Sequence, residues 1–315
     1  MPRITLFRFW LAALLFLAPG WLSAQPAPSS KVVGRIIAAK VVGDVTVTDV
    51  RDPLRPRKLS DRDEVTEDQI INTGDNARVL LVFSNGATVN LAAKSTLSIE
   101  TFLQDPFAQP VKVSELVNEP TTSITKLNLV RGELMSNVKH LRQDKGSSFS
   151  VQTPVGAAGI RGTTFQILYR PAGTAASFAL RMVEGKIGLD FAGRSRPVDV
   201  EKDQQVVLDS IPLDASGRVL SLPANINPTD IPASIKATLA FAQQQLLEAA
   251  TAVNFPAMTQ QTTAPQQAYP QSSGNDGTNA PSSSTSGANA SAQPLSPVPP
   301  ATAPAPRTTP GDGKP

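Results

Sequence analysis

Apolar and polar residues alternate with a period of two along much of the chain. Val45-Thr-Val-Thr48 reads as a half-buried strand. Arg78 to Ser84 (RVLLVFS) is apolar on both faces, with Val79, Leu81 and Phe83 on one and Leu80 and Val82 on the other. That pattern predicts a strand covered on both sides. Asn85-Gly86 follows, and then the alternating run Ala87 to Leu91. Asn-Gly between two such runs predicts a type I′ hairpin, whose two central residues need positive φ. Leu97/Ile99, Leu127/Leu129, Phe149/Val151 and Phe165/Ile167/Tyr169 predict further strands. Phe178/Leu180/Met182 and Ile187/Leu189/Phe191 predict a pair joined through Glu184-Gly185-Lys186. Val206/Leu208 and Val219/Leu222 close the region around a turn at Asp214 to Gly217. Between Leu91 and Val219 no stretch keeps helical spacing for the roughly ten residues a helix requires. The expected fold is all-β, a single domain of short strands and hairpins over 40–222. Sandwich, roll and short solenoid all fit.

The flanks read differently. Ile235, Leu239, Ala242, Leu246 and Val253 recur at helical spacing and predict one amphipathic helix over 229–253. Thr229 or Asp230 is the expected cap, with Pro232 in the first turn. The stripe serves either to dock the helix on the β domain or to drive self-association through 232–253. It falls short of the three or four heptads that mark a coiled coil. Residues 254–315 are Pro, Ser, Thr, Ala, Gln and Gly without an apolar stripe, which predicts a disordered tail. At the other end Arg3 and Arg8, the apolar run Phe9 to Ala18, and Leu22-Ser23-Ala24 predict a signal peptide over 1–24. A linker over 25–39 follows. Phe9 to Leu22 is broken by Pro19-Gly20 and is shorter than the roughly 17 residues a span requires, so no stable membrane span is expected after cleavage.

Charge and residue types narrow the chemistry. A formal net charge of +3 with no Lys/Arg-rich run gives nucleic acid little to hold. The absence of cysteine excludes disulfides, thiolate metal sites and a cysteine nucleophile. His140, the only histidine, stands beside Lys139 and near Arg142 with no second ligand type at a recognisable spacing, and is expected on a solvent-facing turn. The acidic run Asp61-Arg-Asp-Glu64 with Glu67-Asp68 lacks calcium-loop spacing and is expected to be a solvated connection. Gly156, Gly159 and Gly162 suggest a phosphate loop, but strand-like residues follow them where a helix N-terminus is required. They are expected to permit tight bends or close backbone approach. No catalytic, cofactor-binding or metal-binding residue is therefore expected, and no cofactor.

Five segments, in order, resemble the FecR domain, a β-rich module of bacterial envelopes. They are Leu59 to Gly74, Ala77 to Ile99, Leu127 to Leu134 (LNLVRGEL), Phe149 to Ile167 (FSVQTPVGAAGIRGTTFQI) and Met182 to Leu189 (MVEGKIGL). Asn85 stands where the family more often has Asp, and the last segment resembles the family's closing Glu-Gly hairpin. The resemblance spans about Val42 to Leu208. It implies a relay from an outer-membrane receptor to a cytoplasmic sigma factor, the role of the best-studied members. Only Met1-Pro2-Arg3 is expected on the cytoplasmic side, so a sigma-factor-holding segment is not expected here.

The expected function is an exported, periplasmic or extracellular, non-catalytic binding or scaffold module for an envelope protein or glycan. The alternatives are an envelope-side regulator in a signalling system and an enzyme acting on cell-wall polymers.

Overall fold

The computed structural model describes residues 31–259. The expected signal peptide and the tail from 260 onward lie outside the described residues. The chain builds two sheets and passes repeatedly between them. β1 (Val32–Val33) lies in the first sheet, β2 (Ile36–Val42) in the second, and β3 (Val45–Asp49) and β4 (Asp52–Lys58) in the first. β5 (Glu64–Val65) returns to the second sheet and β6 (Gln69–Thr73) to the first. β7 (Arg78–Phe83) and β8 (Thr88–Leu91) form a hairpin in the second, and β9 (Thr96–Gln104) crosses back. β10 (Val111–Lys112) precedes β11 (Ser123–Asn137), a 15-residue strand that belongs to both sheets.

The hairpin of β12 (Ser148–Thr153) and β13 (Gly156–Ile160) extends the first sheet. That of β14 (Thr164–Ala172) and β15 (Ala175–Glu184) extends the second. β16 (Lys186–Phe191) and β17 (Val198–Glu201) return to the first, and β18 (Gln204–Pro212) and β19 (Thr229–Asp230) to the second. The helix α1 (Ala233–Ala252) and β20 (Asn254–Phe255), which pairs with β10, complete the described chain. The first sheet runs β4-β3-β6-β9-β11-β12-β13-β16-β17, and the second β5-β2-β7-β8-β11-β14-β15-β18-β19. All ladders are antiparallel except β11–β12.

One apolar core lies between the sheets. It joins Val47, Ile71, Leu97, Val151 and Leu189 of the first sheet to Ile36, Leu81, Val89, Ile167 and Leu180 of the second. Phe83 meets Phe102 edge-on at 5.2 Å within it. β7 is buried on both faces, as its sequence predicts: Leu80 and Val82 point away from this core into a second one, with Met135. Leu239, Leu246, Ala249 and Ala250 of α1 cover them, and Ile235 and Ala242 pack at the edge. Each fully buried Leu contributes about 1.5–3 kcal/mol. The apolar stripe of the helix is thus spent on the sheet.

The structure departs from the sequence pattern elsewhere. The segment expected as linker up to 39 is strand from Val32, because Ile36 and Ala38 are core residues. The tail expected from 254 begins later, since Phe255 and Met258 are buried in the second core and Met258 bridges to Phe107. The helix starts at Ala233 with no side-chain cap; Thr229 and Asp230 instead pair with Gln205 and Gln204. The turn after β7 is closed by the Gly86 N–H on the Phe83 carbonyl at 2.9 Å, and of Asn85 and Gly86 only Gly86 has positive φ. It is therefore not type I′. Finally, β15 and β16 do not pair with each other. Gly185 (φ 86°) is a corner at which the chain leaves one sheet for the other.

Gly132 marks another such corner. It sits at φ 101° in the middle of β11, where pairing with β9 ends and pairing with β14 begins. A Cβ there would fall inside Ser95.

A bare face on the first sheet

The residues singled out in the sequence do not converge. His140 is exposed, as expected, its backbone tied to the 117–119 segment through Val117 and Glu119. The acidic residues are spoken for one by one. Asp61 accepts from Val41 N–H at 2.6 Å and pairs with Lys40, which together hold its carboxyl below the usual range. Asp63 pairs with Arg57, Glu64 with Arg35, and Asp68 with Arg51, while Glu67 accepts from the Phe102 N–H. No group of three or more His, Asp or Glu side chains among the described residues could hold a metal ion.

The three glycines separate into two kinds. Gly156 lies against the Asp190 carbonyl, and Gly162 has φ 96° with His140 Nδ1 only 2.7 Å from where a Cβ would stand. Both are glycine for structural reasons. Gly159 is not: it is extended, exposed, and nothing lies within 4 Å of an added Cβ. Its cross-strand partner is Gly188, where a Cβ would make only ordinary contacts, 3.7 Å to Pro197 and 3.8 Å to Asp199. Glycine inside a strand costs roughly 0.5–1 kcal/mol relative to alanine, and no packing need offsets that here. What the pair does is leave backbone uncovered, and close approach of another chain or ligand is one of the things that strand-interior glycine marks.

Ladder registers extend this row across the sheet as Lys126, Ser150, Gly159, Gly188 and Asp199. Ser150, Gly159 and Gly188 of this row line a trough of about 770 Å³. Arg161 and Lys186 rise on one side and Asp190 on the other. Lys186 bonds Asp199 at 3.0 Å and lies 3.5 Å from Glu201, and the bond to Asp199 raises its pKa. The rim thus carries both signs of charge in fixed places, which suits recognition of a polar surface better than of an apolar one.

Behind one end of the sandwiching strands lies a buried polar chain that sequence reasoning missed. Asn85 Nδ2 donates to Ser123 Oγ (3.1 Å) and Thr125 Oγ1 (3.2 Å), and Asn85 Oδ1 accepts from Ala87 N–H. Ser123 Oγ donates to Glu119 Oε2 at 2.7 Å, and Glu119 Oε1 accepts from Arg142 N–H at 2.6 Å. Beside it, Ser84 Oγ donates to Gln104 Oε1 at 2.6 Å. The network anchors the β7–β8 turn to β11 and to the 138–147 connection that leads into β12. The signal was present: Ser123 and Thr125 continue the inward phase of Leu127 and Leu129.

Residues 69–188 match the family model described as FecR protein. These residues form a FecR domain. The match is narrower than the resemblance read from Val42 to Leu208. It holds β6 to Gly188, hence Ser150, Gly159 and Gly188 of the trough floor and the corners at Gly132, Gly162 and Gly185. The strands β2 to β5 and β17 to β19 that complete both sheets lie outside the FecR match. Two crystal structures of a candidate anti-sigma factor from Parabacteroides distasonis ATCC 8503 are similar in part. Both are 16% identical to this chain, with TM-scores of 0.37 and 0.36. The similarity covers 54% and 52% of this chain and 64% and 61% of theirs, less than two thirds of their length. No curated protein matches the chain. No helix among the described residues is long and apolar enough to cross a membrane.

Proposed function

We propose that this chain is an exported, non-catalytic regulator on the envelope side of a signalling system, working by holding a partner protein on the open face of the first sheet. The observation that carries the reading is the Gly159–Gly188 pair, two strand-interior glycines that neither backbone conformation nor packing requires. The FecR match supports it, because the matched stretch contains Ser150, Gly159 and Gly188 of this face. The two faces of the molecule also differ: α1 closes the outside of the second sheet over β7, β8 and β11, whereas the trough on the first sheet stays open. Export rests on the pattern of residues 1–24.

Gly159→Arg tests the reading, since nothing lies within 4 Å of a Cβ added at this exposed position. The variant should keep the wild-type unfolding midpoint. From an envelope fraction, wild type should retain a protein that Gly159→Arg does not. Retention of the same proteins by both would refute the partner-binding face.

A further inference from the structure

Four charged side chains line the trough on the first sheet, and two of them neutralise each other: Lys186 bonds Asp199 at 3.0 Å. Arg161 and Asp190 remain. Both are exposed, and neither side chain makes an ion pair or hydrogen bond among the described residues. A lone exposed charge is ordinary on a protein surface, but the placement of these two is not. β13 and β16 run antiparallel, with Gly159 beside Gly188 and Ala157 beside Asp190. Arg161 stands two residues from Gly159 in the opposite direction, past the end of that ladder. The free charges therefore sit at opposite ends of a floor without Cβ atoms, about 13 Å apart along the strands.

That floor is narrow. Gly159 and Gly188 span one inter-strand step of about 4.8 Å, a strip that admits an extended main chain, whereas an α-helix with its side chains is about 10 Å across. The floor gives a sugar ring little to stack on, since Phe149, the aromatic residue of the lining, is 2% exposed. We propose that what binds this face is an extended peptide segment laid along β13 and β16 over the two glycines, with a carboxylate at Arg161 and a lysine or arginine at Asp190. Such a segment presupposes the partner-binding reading above and gives it chemistry and direction. In an extended chain the two opposite charges fall about four residues apart. The reverse order would set like charges against each other at both ends, so the trough selects the order of charges as well as their presence.

The test holds the purified chain against an envelope fraction, with Gly159→Arg as the reference for the face itself. Arg161→Glu and Asp190→Lys should each weaken retention of the partner by roughly threefold or more, because a surface attraction becomes a repulsion. Both should keep the wild-type unfolding midpoint, since the two side chains are exposed and unpaired. Arg161→Asp combined with Asp190→Arg keeps the net charge, reverses its order, and should bind no better than either single variant. A photoreactive residue at 188 should give a protease-sensitive crosslinked species, and the peptide attached there should carry an acidic and a basic residue about four positions apart. Loss of retention in Gly159→Arg with wild-type retention in both charge variants would overturn the charge-ordered segment and leave the binding face standing. Wild-type retention in Gly159→Arg would remove the face, and the segment with it. Wild-type retention in the order-reversed variant, or a protease-resistant crosslinked species such as a glycan gives, would also overturn the segment.

Discussion

Asn85 does two jobs through one side chain. Its carbonyl oxygen accepts from Ala87 N–H and shapes the turn, while its amide feeds a one-way chain of donors through Ser123 to Glu119. Aspartate cannot donate from that position, and it would place a second buried carboxylate on the serine that Glu119 already uses. Asn85→Asp should therefore cost about 1–3 kcal/mol, the penalty for buried groups left unmatched. The loss should be smallest below about pH 4, where a free aspartate is protonated, and should grow as pH rises. Denaturant midpoints at several pH values measure it; a midpoint equal to wild type at neutral pH would contradict the chain of donors. Gly86 sits beside it at φ 91°, under Leu116 and Lys139. Gly86→Val should cost about 1–3 kcal/mol, the range for a strained backbone position. The Asn-Gly pair showed in the sequence that a turn stands here. Its type did not show, because Asn85 is held by partners 38 and 40 residues away rather than by its own backbone preference.

Strands were legible as elements because alternation is local, but their partners were not. Met182 and Ile187 lie on either side of Glu184-Gly185-Lys186 like the arms of a hairpin, yet Met182 pairs with Phe165 in the second sheet and Ile187 with Val200 in the first. A glycine at positive φ serves a tight hairpin and an inter-sheet corner equally well, which is why three architectures fitted the sequence. Gly132 is a case where the corner can be tested: Gly132→Ala would drive a Cβ into Ser95 and should prevent folding to the native state, as read by circular dichroism. The helix was legible from its apolar spacing, and its docking follows from β7, whose two apolar faces require two covers. Leu246→Ala should cost about 2–5 kcal/mol, whereas Phe241→Ala, on the exposed side, should cost little. Equal effects would contradict the docked helix. The polar positions of the alternating run, Thr88 and Asn90, lie on β8, which α1 contacts, and Thr88 Oγ1 and Asn90 Oδ1 have no hydrogen-bond partner.

At the scale of the whole molecule, one outer face is covered and the other carries the trough. The covered face was foreseeable from the paired apolar stripes of β7 and α1. The open face was not, because Gly159 and Gly188 are 29 residues apart and look like any turn glycine until the β13–β16 ladder sets them side by side. Only the structure separates glycines that the fold needs from glycines that it does not. Partner binding across this face is the central claim, and position-resolved crosslinking in the envelope tests it most directly. A photoreactive residue placed at 159 or 188 should give a discrete crosslinked species, and one at Thr238 or Gln244, on the exposed side of α1, should not. Equal crosslinking from both faces, or none from 159 and 188, would contradict it.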